Sequence, residues 1–171
     1  MNYQAKILQS MEHRNFYCHN LCVMINYLII FAYSNIPDEM KAMIFAAGLG
    51  TRLKPITDTL PKALVPVCGR PLIGHVARKL MASGIDEAVV NVHHFADKIL
   101  MQVSDERKAL LETGGAVLHA RSYLDGCGHF LIHNVDIFSN CDIPWFQSQV
   151  REDALGTLLV SERETSRFLL F

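Results

Sequence analysis

The stretch Met40–Val67, MKAMIFAAGLGTRLKPITDTLPKALVPV, constrains the fold of this chain more than any other. Lys41–Ala46 has the length and apolarity of a buried strand. Gly48-Leu49-Gly50 follows at once and supplies backbone that turns sharply and brings its N–H groups close to a ligand. Arg52 stands two residues on, and Pro61-Lys62 closes the segment before a second apolar run. A glycine turn at the C-terminal end of a strand, followed by an Arg and a Lys, reads as a cradle for a polyphosphate anion.

Plainer readings compete with this one. A bare Gly-x-Gly after a first strand often does no more than turn the chain. A dinucleotide fingerprint requires glycine at the sixth position, where Leu53 stands, and its helix would have to open through Lys54-Pro55. A P-loop requires Gly-Lys-Ser/Thr, which Thr51-Arg52-Leu53-Lys54 does not supply. Prolines at 55, 61 and 66 exclude a helix and predict a rigid, extended excursion.

GLGTRLKPITDTLPKALVPV resembles the signature GxGTRxxPxTxxxPKxxxPV of the sugar-1-phosphate nucleotidyltransferases. Each fixed position is met, by Gly48, Gly50, Thr51, Arg52, Pro55, Thr57, Pro61, Lys62, Pro66 and Val67. VVNVHHFADKI and SDERKALLETGGAV further resemble the branch of N-acetylmuramate-1-phosphate uridylyltransferase and mannose-1-phosphate guanylyltransferase. The resemblance covers Met40–Phe171 and is to the N-terminal, nucleotide-binding part of such enzymes. It implies a Rossmann-like three-layer αβα sandwich with a mostly parallel sheet, of the nucleotide-diphospho-sugar transferase type, here truncated. The implied activity is transfer of a nucleoside monophosphate from a nucleoside triphosphate to a sugar 1-phosphate, as in nucleotide-sugar supply for cell wall or polysaccharide. UTP is the favoured donor and GTP the alternative.

The resemblance also assigns residues. Arg52 and Lys62 become the catalytic cations, and Ala46, Ala47, Gly48, Gly50 and Thr51 the nucleotide-binding loop. Asp136 ends the apolar run His129–Val135 and so emerges at the C-terminal edge of a parallel sheet, where ligands bind in open α/β folds. By resemblance it is the Mg²⁺ ligand; read alone it only caps a turn. Mg²⁺ keeps several waters, so one carboxylate plus substrate phosphates is a sufficient set. Glu112-Thr113-Gly114 resembles the stretch that lies against the nucleobase, although glycines at a helix start are also a plain helix entrance. No paired histidines have chelating spacing: His129 and His133 lie about 13 Å apart along a strand.

Beyond the loop, strand and helix alternate in the manner of a parallel α/β sheet. Helices are predicted over residues 71–83, 95–101, 114–124 and 143–150, the last opened by Asp142 as N-cap with Pro144 following. Strands are predicted over 88–92, 130–135 and 155–160. Only 11 residues separate Val92 from Ser104, short of the dozen or so a parallel crossover needs. A strand that is removed or pared down is therefore expected there.

Composition limits the other readings. The formal net charge of −1 does not suggest a nucleic-acid surface. Five irregularly spaced cysteines form no paired framework and suit reduced thiols in a cytoplasm. The apolar run Leu21–Tyr33 is only 13 residues, against the roughly 20 a membrane helix needs. Residues 1–39 are expected to lie outside the family's catalytic fold, with a membrane-surface or partner-binding helix as the alternative. The chain closes at SERETSRFLLF, where the second metal ligand and the sugar pocket of the family would follow. A non-catalytic or partner-dependent nucleotide-binding module is accordingly the rival function, and oligomeric state is left open.

Overall fold

The computed structural model describes residues 6–8, 29–32, 40–93, 103–151 and 153–160. Along these run β1 (Lys6–Leu8), β2 (Ile29–Ala32), β3 (Met40–Phe45), the hairpin β4 (Pro66–Val67) and β5 (Arg70–Pro71), and α1 (Leu72–Ala82). There follow β6 (Ala88–Val92), β7 (Val103–Asp105), α2 (Glu112–His119), α3 (Arg121–Leu124), β8 (His129–Asn134), α4 (Ile143–Gln147) and β9 (Gly156–Val160).

β3 is apolar on both faces because both faces are covered, as parallel strands require. Met40, Ala42 and Ile44 point into one core with Leu72, Ile73, Val76 and Leu80 of α1 and Ile143 and Phe146 of α4. Met43, between them in sequence, points to the other face, against Ala116 of α2, Ala120 and Leu124. The two-residue alternation of one strand thus sets a helical layer on each side of the sheet. That is the three-layer α/β arrangement the sequence led us to expect.

The main sheet has the order β1-β9-β2-β8-β3-β6-β7. β8, β3, β6 and β7 form a parallel block. On its other side β2 pairs antiparallel with both β8 and β9, and β1 pairs antiparallel with β9. One correction follows: residues 1–39 do not lie wholly outside the fold, since Ile29–Ala32 is hydrogen-bonded between β8 and β9. The expected final strand is present as β9 and enters the sheet through antiparallel partners. Both pairings join short apolar segments far apart in the chain, for which a sequence offers many near-equivalent partners.

Local boundaries follow recognisable chemistry. α1 ends in a Schellman motif: Ile85 N–H donates to Leu80 O at 3.1 Å and Gly84 N–H to Met81 O at 3.0 Å. Gly84 takes the left-handed conformation this needs, at φ +79°, and Ile85 closes onto Leu80 in the core. α4 opens as expected, with Asp142 Oδ1 accepting Trp145 N–H at 3.0 Å, but ends at Gln147 rather than Val150. The helix expected over 114–124 starts two residues earlier and is split at Ala120. β7 is retained at three residues, parallel to β6. The helix expected over 95–101 lies outside the described residues.

The proline-rich excursion is not extended. It folds into three short 3-10 turns, Thr51–Leu53, Ile56–Asp58 and Lys62–Leu64. Their first bonds run from Leu53 N–H to Gly50 O, Asp58 N–H to Pro55 O and Leu64 N–H to Pro61 O, at 2.8–3.0 Å. Pro55 and Pro61 stand at the N-terminal end of their turns, where a missing N–H is no loss and a fixed φ helps.

Candidate functional site

The glycine loop leaves β3 at its C-terminal end, and the segment bearing Asp136 leaves the adjacent β8 at the same edge. Phe45 stands opposite Asn134 in the ladder, and Val135 N–H donates to Phe45 O at 3.0 Å. Asp136 is therefore held beside the start of the glycine loop. Lys62 reaches across to it, and Lys62 Nζ and Asp136 Oδ2 form an ion pair between partly buried side chains. The segment after Asp136 is tied to α1, because Lys79 Nζ donates to Ser139 O at 2.7 Å and to Ser139 Oγ at 3.0 Å. Burial pushes the Lys79 ammonium below its ordinary pKa, against the opposing pull of Cys141 and Asp142.

A cleft of about 420 Å³ opens here, lined by the polar Thr51, Arg52, Lys62 and Asp136, by Gly50, and by the apolar Leu53, Val65, Val67 and Leu72. Its polar wall is cationic apart from Asp136, which suits an anionic ligand. Gly50 explains how the wall closes. At φ +64° it is left-handed, and a Cβ there would stand 2.8 Å from Thr57 Cγ2 and 3.2 Å from Lys62 Cβ. Thr57 Oγ1 also donates to Gly50 O at 2.9 Å. Thr57 and Lys62, widely spaced in the sequence, thus both close on Gly50. Gly48 differs: a Cβ there would meet nothing within 4 Å, so its missing side chain leaves open space above the loop.

Of the residues singled out from sequence, the structure brings Gly50, Thr51, Arg52, Lys62 and Asp136 to one cleft. Ala46 and Ala47 are buried beneath it at the strand end. Glu112, Thr113 and Gly114 do not line that cleft. They form the first turn of α2, where Glu112 has φ +58°, a conformation rare for a residue with a side chain. Gly114 faces open space, since a Cβ there would meet nothing within 4 Å.

Asn91 and Glu106 escaped the sequence reading. Asn91, buried in β6, accepts the Ala46 N–H on Oδ1 at 2.8 Å. Its Nδ2 donates to Glu106 Oε1 at 3.0 Å, and Glu106 is itself buried. A polar residue inside the apolar run Ala88–Val92 was the available signal, because a buried amide must find partners. His133 is also buried. Its Nδ1 donates to Asn134 O at 2.7 Å, and Nε2 has no hydrogen-bond partner among the described residues. Burial lowers its pKa, so the ring is held neutral.

Among the described residues no three His, Cys, Asp or Glu side chains gather as metal ligands. No described helix is long and apolar enough to cross a membrane.

Comparison with known proteins places this geometry. The family model described as nucleotidyl transferase matches residues 41–156, taking in the glycine loop, the Asn91–Glu106 pair and Asp136. An N-acetylmuramate alpha-1-phosphate uridylyltransferase of Caulobacter vibrioides is 44% identical over 109 residues, 56% of this chain and 45% of the relative. The mannose-1-phosphate guanylyltransferase catalytic subunit beta of Xenopus tropicalis is 30% identical over 142 residues, 73% of this chain and 39% of the relative. This chain therefore spans less than half the length of either. Among solved structures, HddC from Yersinia pseudotuberculosis, complexed with GMP-PN, superposes with a TM-score of 0.56 at 27% identity, covering 63% of this chain and 52% of that one. With a matching family model across most of its length and the fold to go with it, the chain belongs to the nucleotidyl transferase family.

Proposed function

We propose that this chain carries the nucleotide-binding half of a sugar-1-phosphate nucleotidyltransferase, with UTP as the favoured donor and GTP as the alternative. The observation that carries the reading is the meeting of Arg52, Lys62 and Asp136 around one cleft at the C-terminal edge of β3 and β8. The preference for UTP rests on likeness to the uridylyltransferase relative, which exceeds the likeness to the guanylyltransferase.

The reaction asks little covalent chemistry of the protein. An oxygen of the sugar 1-phosphate attacks the α-phosphorus of the triphosphate in line. A new P–O bond forms, the bond between the α-phosphorus and the bridging oxygen breaks, and pyrophosphate leaves with that electron pair. A phosphate monoester has its second pKa at about 6 and is largely dianionic at neutral pH, so no general base is needed. Catalysis is then positioning and charge neutralisation. Arg52, exposed at the lip of the cleft, holds the departing phosphates with its planar fork. Lys62 supplies a compact charge to the phosphate under attack, and the backbone from Ala46 to Thr51 lines the phosphate path. Glu112, Thr113 and Gly114 lie against the base.

The donor set around Asp136 fits a hard cation completed by other oxygens. It offers one partly exposed carboxylate, with no group of three His, Cys, Asp or Glu side chains among the described residues, so Mg²⁺ shared with substrate phosphates and water suits the site better than a protein cage. Mg²⁺ held there would neutralise phosphate charge.

Calorimetric titration of the four nucleoside triphosphates with Mg²⁺, on the wild-type chain and Asp136→Asn, tests the reading. One triphosphate should bind and bind more weakly to the variant. Pyrophosphate release with N-acetylmuramate 1-phosphate and with mannose 1-phosphate then identifies the acceptor. Failure of every triphosphate to bind would refute the proposal.

A further inference from the structure

Glu106 is 2% exposed and sits just beyond β7, away from the cleft walls. Both of its carboxylate oxygens are engaged. Oε1 accepts from Asn91 Nδ2 at 3.0 Å, and Oε2 accepts a longer bond from the Leu111 N–H at 3.4 Å. Its main chain is fixed too: Glu106 N–H donates to Val92 O at 2.8 Å, and His93 Nδ1 donates to Glu106 O at 2.8 Å. Through Asn91 the carboxylate reaches the Ala46 N–H, where β3 passes into the glycine loop. Through Leu111 it reaches the residue before Glu112, whose left-handed backbone is the strained point of its segment.

A buried carboxylate is destabilising beside an apolar group of equal size unless its oxygens are satisfied. Packing alone therefore gives no reason for Glu at this place. A carboxylate does one thing that no apolar side chain and no amide does: it accepts at both oxygens simultaneously. Here those acceptances point to the two segments assigned above to phosphate and base.

We propose that Glu106 is a positioning residue that holds the glycine loop, through Asn91, and the Glu112–Gly114 turn, through the Leu111 N–H, at a fixed separation. It does not touch the nucleotide. It sets the distance between the phosphate-binding and base-binding segments, and so acts on affinity and base choice together. The inference rests on the nucleotidyl-transfer reading of those segments.

Amide hydrogen exchange and calorimetry with Mg²⁺-UTP and Mg²⁺-GTP, on the whole chain and on Glu106→Ala and Glu106→Gln, test it. Exchange at Ala46 and Leu111 is read relative to Ile44 in the middle of β3, which separates local loosening from a general loss of stability. Glu106→Ala should speed exchange at both amides and weaken triphosphate binding about tenfold or more, the expected scale for losing buried bonds to a charged group. Glu106→Gln keeps an acceptor for Asn91 but has no second one for Leu111. It should therefore leave Ala46 protected, expose Leu111 and narrow the difference between UTP and GTP. Unchanged relative protection of both amides in Glu106→Ala would overturn the proposal, as would altered protection with unchanged affinity. Should Glu106→Ala fail to fold, Glu106→Gln decides alone, and a protected Leu111 amide there overturns it. If the wild-type chain binds neither triphosphate, the functional reading fails first, and the exchange pattern still decides whether Glu106 links the two segments.

Discussion

Replacing Gly50 by alanine probes the contact that shapes the cleft. Two separate penalties are expected. The backbone is left-handed at φ +64°, which costs an alanine roughly 1 kcal/mol. The new Cβ would also stand 2.8 Å from Thr57 Cγ2, closer than real contacts allow, and overpacking of this kind costs about 1–3 kcal/mol. The sum is about 2–4 kcal/mol, and at about 2–4 °C per kcal/mol for a chain of this size the melting temperature should fall by roughly 4–16 °C. Thr57→Ser separates the two terms. It removes Cγ2 while keeping the hydroxyl that donates to Gly50 O. The double variant Gly50→Ala/Thr57→Ser should therefore recover the steric part and retain the backbone part, giving a favourable coupling of about 1 kcal/mol or more in a double-mutant cycle. Thermal melts of the four proteins supply the numbers. A Gly50→Ala protein that melts with the wild type, or a cycle with no coupling, would refute the argument that Gly50 is required by close approach to Thr57.

Three further outcomes follow from other parts of the molecule. Arg52 is exposed, so Arg52→Ala should change stability by less than about 0.5 kcal/mol, yet lower turnover on the order of 10²-fold if it stabilises the departing phosphates; kinetics set beside melts decide, and parallel loss of both would remove the role. Gly84→Ala meets open space but keeps φ +79° in the Schellman turn, so urea unfolding should show a loss of about 1 kcal/mol from backbone strain alone. The folded protein holds His133 below its ordinary pKa of 6.5 through burial, so as pH falls through 6.5 the unfolded chain takes up the proton more readily. Stability should therefore drop below that pH, by at most about 1.4 kcal/mol per unit for one site, and the slope should flatten in His133→Gln; a slope unchanged by the substitution would assign the effect to other groups.

Much of the site was legible before any coordinates. Gly50, Arg52 and Lys62 are read from a short, rigid segment, in which chain connectivity keeps near neighbours close. Asp136 could be placed at the same edge because it ends an apolar run, and parallel strands deliver their C-terminal ends to one side. Asn91 and Glu106 were not recognised. Their meaning depends on which backbone N–H groups they reach, and Asn91 lies 45 positions from Ala46 along the chain. The prolines were read for the right property with the wrong result. A fixed φ is compatible both with extended chain and with the entry to a 3-10 turn, and only the bonds to Gly50, Pro55 and Pro61 select the turns.

By itself the sequence determined the alternation of apolar runs and turns, the glycine loop with its two cations, and a carboxylate at the end of an apolar run, because each is set by residues within one segment. The tertiary structure alone decided three things: that Ile29–Ala32 enters the sheet between β8 and β9, that Lys62 and Asp136 meet, and that a buried carboxylate links two loops. The physical reason is common to all three. Strand pairing and side-chain hydrogen bonds are selected by burial and geometry among many partners of equal local fitness, and that selection exists only once the chain has packed.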